Sequence, residues 1–200
     1  MSPYKYIKQL VLASTFILFL FLSENILGSG KRQYNGEYKG KYFNHIAFPI
    51  GGIGAGMICL EGTGVISHVS VRNAPDLFYE PLIYTTLFVK GENDSIAKVI
   101  EGPVPKRKYF GSHMSGEVLG WTSYGLPRFK SATFLVRFPF GEIALEDSSV
   151  PIDVSITGWS PFIPGDVDNS SQPVGALEYR FSNPTEQELE AVFHFTRRIL

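Results

Sequence analysis

Residues 152–157 read Ile-Asp-Val-Ser-Ile-Thr, with an apolar side chain at every second position and a polar one between. Alternation with a period of two is typical of a β-strand that buries one face and exposes the other. The pattern recurs at residues 65–71, 134–140, 177–182 and 189–195. Since antiparallel sheets with one face on a core produce this alternation, the sequence predicts an all-β fold.

Turn residues separate these runs and refine the prediction. The chain contains 20 Gly and 13 Pro, whereas charged residues make up only 18%. Residues 83–89 form a further β-branched and aromatic run, and the run at residues 134–140 is interpreted as one strand with Phe134, Val136, Phe138 and Phe140 on one face. After residue 30 no apolar stripe with a helical period is present. Short strands joined by tight turns indicate an antiparallel β-sandwich.

Charge and cysteine content exclude several classes of protein. The 200 residues carry 18 Lys+Arg and 19 Asp+Glu, for a net charge of −1. This balance excludes a strongly basic nucleic-acid binder and an acidic disordered tail. Cys59 is the only cysteine and lies in an apolar stretch, where we expect a buried, inert thiol without a disulfide partner. The four histidines are scattered, so the sequence predicts neither a metal site nor a cofactor.

Residues 1–30 have the composition of an export signal. Lys5 and Lys8 form a short positive region, and an apolar run follows at residues 10–22. A membrane-spanning helix needs roughly 20 apolar residues, so this run is short for a span and suits a signal peptide. Small residues at 28–30 offer a cleavage site. We expect an exported protein, periplasmic, extracellular or on the cell surface, with an uncleaved membrane anchor at residues 10–22 as the alternative.

The remaining residues, 31–200, are predicted to form the β-sandwich domain. The alternation of the last run continues to Arg197 and is followed by Arg198, Ile199 and Leu200, without a turn or a polar tail. We therefore expect a domain that is cut short at its C-terminus.

A glycine-rich segment is the first candidate functional site. Residues 49–56 read PIGGIGAG, and a dinucleotide-binding fingerprint would need a further glycine at Met57 and a helix after it. Nucleotide binding is therefore rejected. The four glycines of the cluster are instead expected to allow close backbone packing or positive φ angles, and they could also let the backbone of another domain approach; they are Gly51, Gly52, Gly54 and Gly56.

Charged and aromatic side chains provide the other candidates. A glycosidase needs two carboxyl groups about 5–9.5 Å apart, but the acids here are interpreted as solvated groups on turns and strand faces, Glu80 among them. The basic triplet at residues 106–108 is likewise interpreted as a solvated loop tip. Aromatic side chains in loops could stack on a sugar ring, and the two tryptophans, Trp121 and Trp159, are the candidates for this role.

Residues 45–56 (HIAFPIGGIGAG) resemble the start of glycoside hydrolase family 116, which includes the non-lysosomal glucosylceramidase and bile-acid β-glucosidase relatives. Further stretches resemble the same N-terminal domain; they are Val71-Arg72-Asn73 with Pro75, residues 125–129 (GLPRF), 138–141 (FPFG), 158–164 (GWSPFIP) and Pro173-Val174. The resemblance extends over roughly residues 42–200. It implies a large β-sandwich, the N-terminal domain of a larger two-domain glycosidase, packed against a C-terminal (α/α)₆ barrel.

In this family the barrel carries a glutamate nucleophile and an aspartate acid/base for retaining hydrolysis of β-glucosides. The resemblance therefore assigns no catalytic residue to this chain. The barrel would be either the C-terminal domain of the full-length protein or a separate, split partner chain. A β-glucoside or glycolipid substrate would bind through that barrel. The candidates for the inter-domain face are residues 45–56 and the loop at residues 159–166, with the key positions His45, Gly51, Gly52, Gly54, Gly56, Trp159 and Phe162. The alternatives are a free-standing carbohydrate-binding module that uses Trp121 and Trp159, or a structural β-sandwich.

Overall fold

The structure is a computed structural model that describes residues 32–42, 44–72, 74–76, 79–91, 94–110 and 123–197. The chain divides into two units, Met1–Tyr34 and Asn35–Leu200. The predicted export signal and Trp121 lie outside the described residues.

The described residues form ten strands and three short helices. The strands are β1 (Ala47–Ile50), β2 (Met57–Glu61), β3 (Ile66–Ser70), β4 (Ile83–Lys90), β5 (Ile96–Val99), β6 (Ser131–Arg137), β7 (Phe140–Glu146), β8 (Asp153–Trp159), β9 (Ala176–Ser182) and β10 (Glu190–Arg197). The helices are a 3₁₀ turn (Gly40–Tyr42), α1 (Lys106–Phe110) and α2 (Val167–Ser170).

These strands pair into three antiparallel sheets. Their strand orders are β1-β2-β3, β10-β4-β5 and β6-β7-β8-β9. Buried side chains from all three sheets join one apolar core; among them are Phe48, Leu60, Leu87, Phe134, Ile143 and Ile156. The predicted antiparallel β-sandwich is therefore confirmed.

Strand β8 shows why the alternation predicted the fold. Ile152, Val154 and Ile156 are all buried in the core, whereas Asp153 between them is exposed. Burying these branched side chains removes apolar surface from water, which stabilises a fold by about 25 cal/mol per Å². The core face of the strand thus matches the apolar positions of residues 152–157.

The interpretation of residues 134–140 as one strand is wrong. Strand β6 ends at Arg137, which pairs directly with Phe140 at the start of β7, so Phe138 and Pro139 form a two-residue hairpin turn. Proline has no backbone N–H for a ladder hydrogen bond, and it favours such a break. Phe134 is 0% exposed but Phe138 is 63% exposed, so the two aromatic side chains belong to different environments.

The last predicted strand is present but is buried less than its alternation suggests. Strand β10 pairs with β4 from Glu190 opposite Lys90 to Arg197 opposite Ile83. It lies at the edge of its sheet, and Phe193 and Phe195 both remain exposed to solvent. Phe193 packs against Tyr179 of β9, with ring centroids 5.2 Å apart. Side chains on both faces of β10 are exposed, so the described residues cover neither face of this strand fully.

Cys59 lies in β2 and its side chain is buried, as predicted. Burial raises the pKa of its thiol to about 11, with a smaller contribution from the Glu61 carboxylate. In the described part of the chain no helix is long and apolar enough to cross a membrane. No group of three or more metal-ligating side chains is found there either.

Ile156 provides a test of the core. Its side chain is 0% exposed in β8, so Ile156→Ala should lower the free energy of unfolding by about 2–5 kcal/mol, through lost burial and the cavity left behind. Ile163→Ala is the matched control, since Ile163 is 50% exposed and should change stability much less. Urea denaturation of both variants measures the difference; equal losses would contradict this assignment of the core.

Candidate functional site

The structure brings together parts of the two segments that were candidates for an inter-domain face. The Gly51 N–H donates a hydrogen bond to Ser160 Oγ at 2.7 Å. The Ile53 N–H donates to the Ser170 carbonyl oxygen at 2.9 Å. Strand β1 ends next to the first of these bonds and β8 ends next to the same bond, so the core positions both loops. The glycine segment and the loop after β8 therefore form one continuous surface region.

Two features of the glycine segment require glycine itself. Gly51, Gly54 and Gly56 have φ values of +128°, +74° and +119°, a region that side chains with a Cβ rarely adopt. A Cβ on Gly52 would overlap the Gln172 carbonyl oxygen and lie 2.6 Å from the Ser171 carbonyl carbon. The cluster thus serves backbone-to-backbone packing between the two loops.

The loop after β8 is held by its own hydrogen bonds. Asp166 caps helix α2, and its carboxylate accepts a hydrogen bond from the Asn169 N–H at 3.0 Å. This bond, together with one from the Asn169 side chain, lowers the pKa of Asp166. The buried Ser170 hydroxyl accepts from the Ile163 N–H at 3.0 Å and donates to the Ile163 carbonyl at 3.1 Å. The loop is therefore a preformed platform for the side chains on its outer side.

Those side chains are apolar. Phe138 from the β6–β7 turn packs edge-to-face on Phe162, with ring centroids 4.8 Å apart. Phe140 and Trp159 lie across β7 and β8 from each other, at 6.4 Å between centroids. We call these two aromatic pairs, together with the exposed aliphatic side chains of the two loops, the apolar surface; its exposed members are Ile53, Phe138, Phe140, Phe162, Ile163 and Val167. Large exposed apolar patches on soluble proteins mark interaction sites, and the two aromatic pairs form the centre of this surface.

Not all of the other sequence candidates lie in this region. His45 is exposed in the turn before β1, at the opposite end of that strand from Gly51. Trp159 is half-buried at the end of β8, whereas Trp121 falls outside the described residues. Gly51, Gly52, Gly54, Gly56, Trp159 and Phe162 are thus gathered in one region, and His45 is separated from them by an extended strand.

A group of buried charges was missed in the sequence. Helix α1 contains the basic triplet that was interpreted as a solvated loop tip, yet Lys108 is 1% exposed and forms ion pairs with Glu61 and Glu80. Glu80 is likewise half-buried instead of solvated. Isolated charges in a loop look the same in a sequence whether their partners are water or distant carboxylates, so no local pattern distinguishes the two cases.

Gly52 provides a test of the loop packing. Gly52→Ala should lower the free energy of unfolding by about 1–3 kcal/mol or more, because the added methyl group meets backbone atoms that cannot turn away. Gly125→Ala is the control, since a Cβ there meets no atom within 4 Å. Thermal unfolding compares the two variants, and a fully stable Gly52→Ala protein would show that the loops do not pack as described.

A family comparison agrees with this geometry. A sequence model described as "beta-glucosidase 2, glycosyl-hydrolase family 116 N-term" matches residues 47–198, which include all ten strands. A search of curated proteins finds no match to this chain. The match covers more than half of the chain and confirms the resemblance found in its motifs. The chain therefore belongs to glycosyl-hydrolase family 116, of which it carries the N-terminal domain.

Proposed function

We propose that this chain is the non-catalytic β-sandwich domain of an exported β-glucosidase or glucosylceramidase-like enzyme, and that it docks on an (α/α)₆ catalytic domain. The observation that carries the proposal is the apolar surface around Phe138 and Phe162. Family membership implies a larger glycosidase with a catalytic domain, and a domain of that kind needs a surface on which to pack.

The composition of the apolar surface suits a protein partner. The buried centres of protein interfaces are rich in aromatic side chains and poor in charge. Phe138 and Phe162 meet edge-to-face, and each ring shields part of the other. Sugar stacking needs an open, flat ring face, and Trp159 is half-buried with Phe140 across from it. The arrangement therefore supports protein docking better than direct sugar binding.

The arrangement of the buried carboxylates supports a non-catalytic role. Glu61 and Glu80 both bind the Nζ of Lys108, and their side chains are only 4% and 12% exposed. The Asp147 carboxylate binds Lys98 at 2.8 Å and Lys130 at 3.2 Å. A retaining glycosidase needs two carboxyl groups, about 5–5.5 Å apart, that flank an accessible glycosidic bond. Buried carboxylates that are paired with lysine ammonium groups do not meet this requirement.

The docking proposal is tested with an (α/α)₆ catalytic domain of family 116. Calorimetric titration of that domain with this chain should show binding, and Phe162→Asp should weaken it by about tenfold or more, since buried aromatic anchors dominate interface energies. Val192→Asp is the control, because Val192 is similarly exposed but lies on β10.

Two results would overturn this proposal. If both substitutions weakened binding equally, the apolar surface would have no special part in the interface. Hydrolysis of 4-nitrophenyl β-glucoside by this chain alone would contradict the non-catalytic role, for which we expect no turnover above the uncatalysed rate.

Export rests on the positive and apolar regions of residues 1–30. Expression with a secretion system should give an exported chain whose N-terminus, read by mass spectrometry, lies close to residue 31. A protein that keeps Met1 and stays in the membrane fraction would favour the anchor at residues 10–22 instead. Recovery of the full-length chain in the soluble cell fraction would contradict both.

A further inference from the structure

Backbone conformations with a positive φ angle occur mostly at glycine in the described part of the chain. Six glycines adopt them, together with Asn35, His68 and Arg72. Asparagine tolerates this left-handed region better than most residues with a side chain, whereas histidine and arginine have less reason to adopt it. His68 and Arg72 both have φ +55° and lie close together in the sequence, at the end of β3. This strand end therefore keeps two side chains where glycine would relieve the backbone.

His68 lies at an irregularity of the β2–β3 pair. The register shifts between Met57 and Cys59, so that His68 and Val69 of β3 lie opposite a single residue of β2. A β-bulge of this kind bends the strand and changes the direction of the side chains that follow it. The His68 ring is held in place by its buried neighbour, with Nδ1 2.6 Å from Ser67 Oγ. The bulge thus sets the direction in which β3 ends.

Arg72 lies in the tight turn that follows this strand. The Ala74 N–H donates to the Val71 carbonyl oxygen at 3.1 Å, and the two residues form a β-bridge. Arg72 is therefore the second residue of the turn, where a positive φ angle normally selects glycine, asparagine or aspartate. The Asp76 N–H donates to Ser70 Oγ at 2.9 Å, which returns the chain to the end of β3.

The Arg72 side chain does not stabilise the turn that carries it. It is exposed, and among the described residues its guanidinium group has neither a hydrogen bond nor an ion pair. Residues held in a strained backbone conformation cluster at binding sites and active sites, where the position of the side chain matters more than the local strain. An arginine that strains its turn and contacts nothing within the domain is best explained by a contact with another molecule or domain.

The turn adjoins the region proposed above for docking. A Cβ on Gly56 would lie 2.7 Å from the Ser70 carbonyl oxygen and 3.4 Å from the Val71 Cα. The glycine segment therefore contacts the turn after β3 at one end, and at its other end it packs against the loop after β8. Protein interfaces surround an apolar centre with a polar rim, and arginine is enriched in them. Arg72 lies where such a rim would continue from the apolar surface.

We propose that Arg72 is a charged anchor at the edge of the docking surface and binds a carboxylate of the catalytic domain. This inference rests on the proposed function and adds a polar contact to it. The guanidinium group presents a planar fork of N–H donors that matches the two oxygens of a carboxylate. The bulge and the turn fix the backbone that carries this group, so less conformational freedom is lost on binding.

Calorimetric titration of an (α/α)₆ catalytic domain of family 116 with this chain tests the anchor. Arg72→Gln removes the charge but leaves the turn equally strained, so the Kd should rise by about fivefold or more while the Tm stays unchanged. Raising the salt concentration should weaken binding of the wild-type chain more than binding of this variant, because salt screens the ion pair. Arg180→Gln is the matched control, since Arg180 is 77% exposed on β9, in another sheet, and its loss should leave the Kd unchanged.

Arg72→Asn separates the role of the side chain from that of the backbone. Asparagine adopts the left-handed region at a lower cost, so the Tm should rise by about 2–4 °C. The Kd should nevertheless rise as much as in Arg72→Gln. A residue with a purely structural role would lower the Tm when replaced, and a lower Tm in Arg72→Asn would overturn the inference.

Phe162→Asp in the same titration distinguishes this inference from the proposed function. If Phe162→Asp weakens binding and both Arg72 variants bind like the wild-type chain, the anchor is wrong and the docking proposal stands. If the wild-type chain does not bind the catalytic domain, both are wrong. Equal weakening by Arg180→Gln and Arg72→Gln would show that the position of the charge does not matter, which also contradicts the anchor.

Discussion

The packing of Phe134 against Phe48 is the contact on which the rest of the structure depends. Phe134 lies in β6 and Phe48 in β1, and their ring centroids are 6.0 Å apart, so this pair joins two of the three sheets. Gly141 of β7 makes room for it, because a Cβ there would lie 2.8 Å from the Phe48 ring and 3.0 Å from the Phe134 ring. Glycine at that position lets the two aromatic side chains fill the core between the sheets.

Two regions of the domain depend on that core in different ways. The apolar surface lies next to strands of the core. Strands β1 and β8 end next to each other, and the residues that follow them, Gly51 and Ser160, share a hydrogen bond. Lys108 of helix α1 is held to the same sandwich by ion pairs with Glu61 and Glu80. One domain thus combines two loops that pack backbone to backbone with a helix that is attached through buried ion pairs.

Much of the fold was predictable from the sequence because a strand that buries one face carries an apolar residue at every second position. Val154 and Ile156 show this period clearly, because both are apolar and both are buried. The glycine cluster was a separate signal, since it predicted the close backbone contact found at Gly52. The turn at Phe138 was missed because apolar alternation continues through it, and only the proline indicates the break. The pairing of Lys108 with Glu61 joins residues far apart in the chain, and no local pattern reports which distant carboxylate a lysine will meet.

The pairing of β10 with β4 has a consequence for the order in which the fold is assembled. Strands β6 to β9 each pair with a neighbour in sequence, so this sheet can form as soon as its own residues are synthesised. Strand β5 follows β4 in the chain and can pair with it early. The other neighbour of β4 is β10, which spans Glu190–Arg197 and is synthesised much later. One side of β4 must therefore stay without its native partner while the next hundred residues of the chain are made.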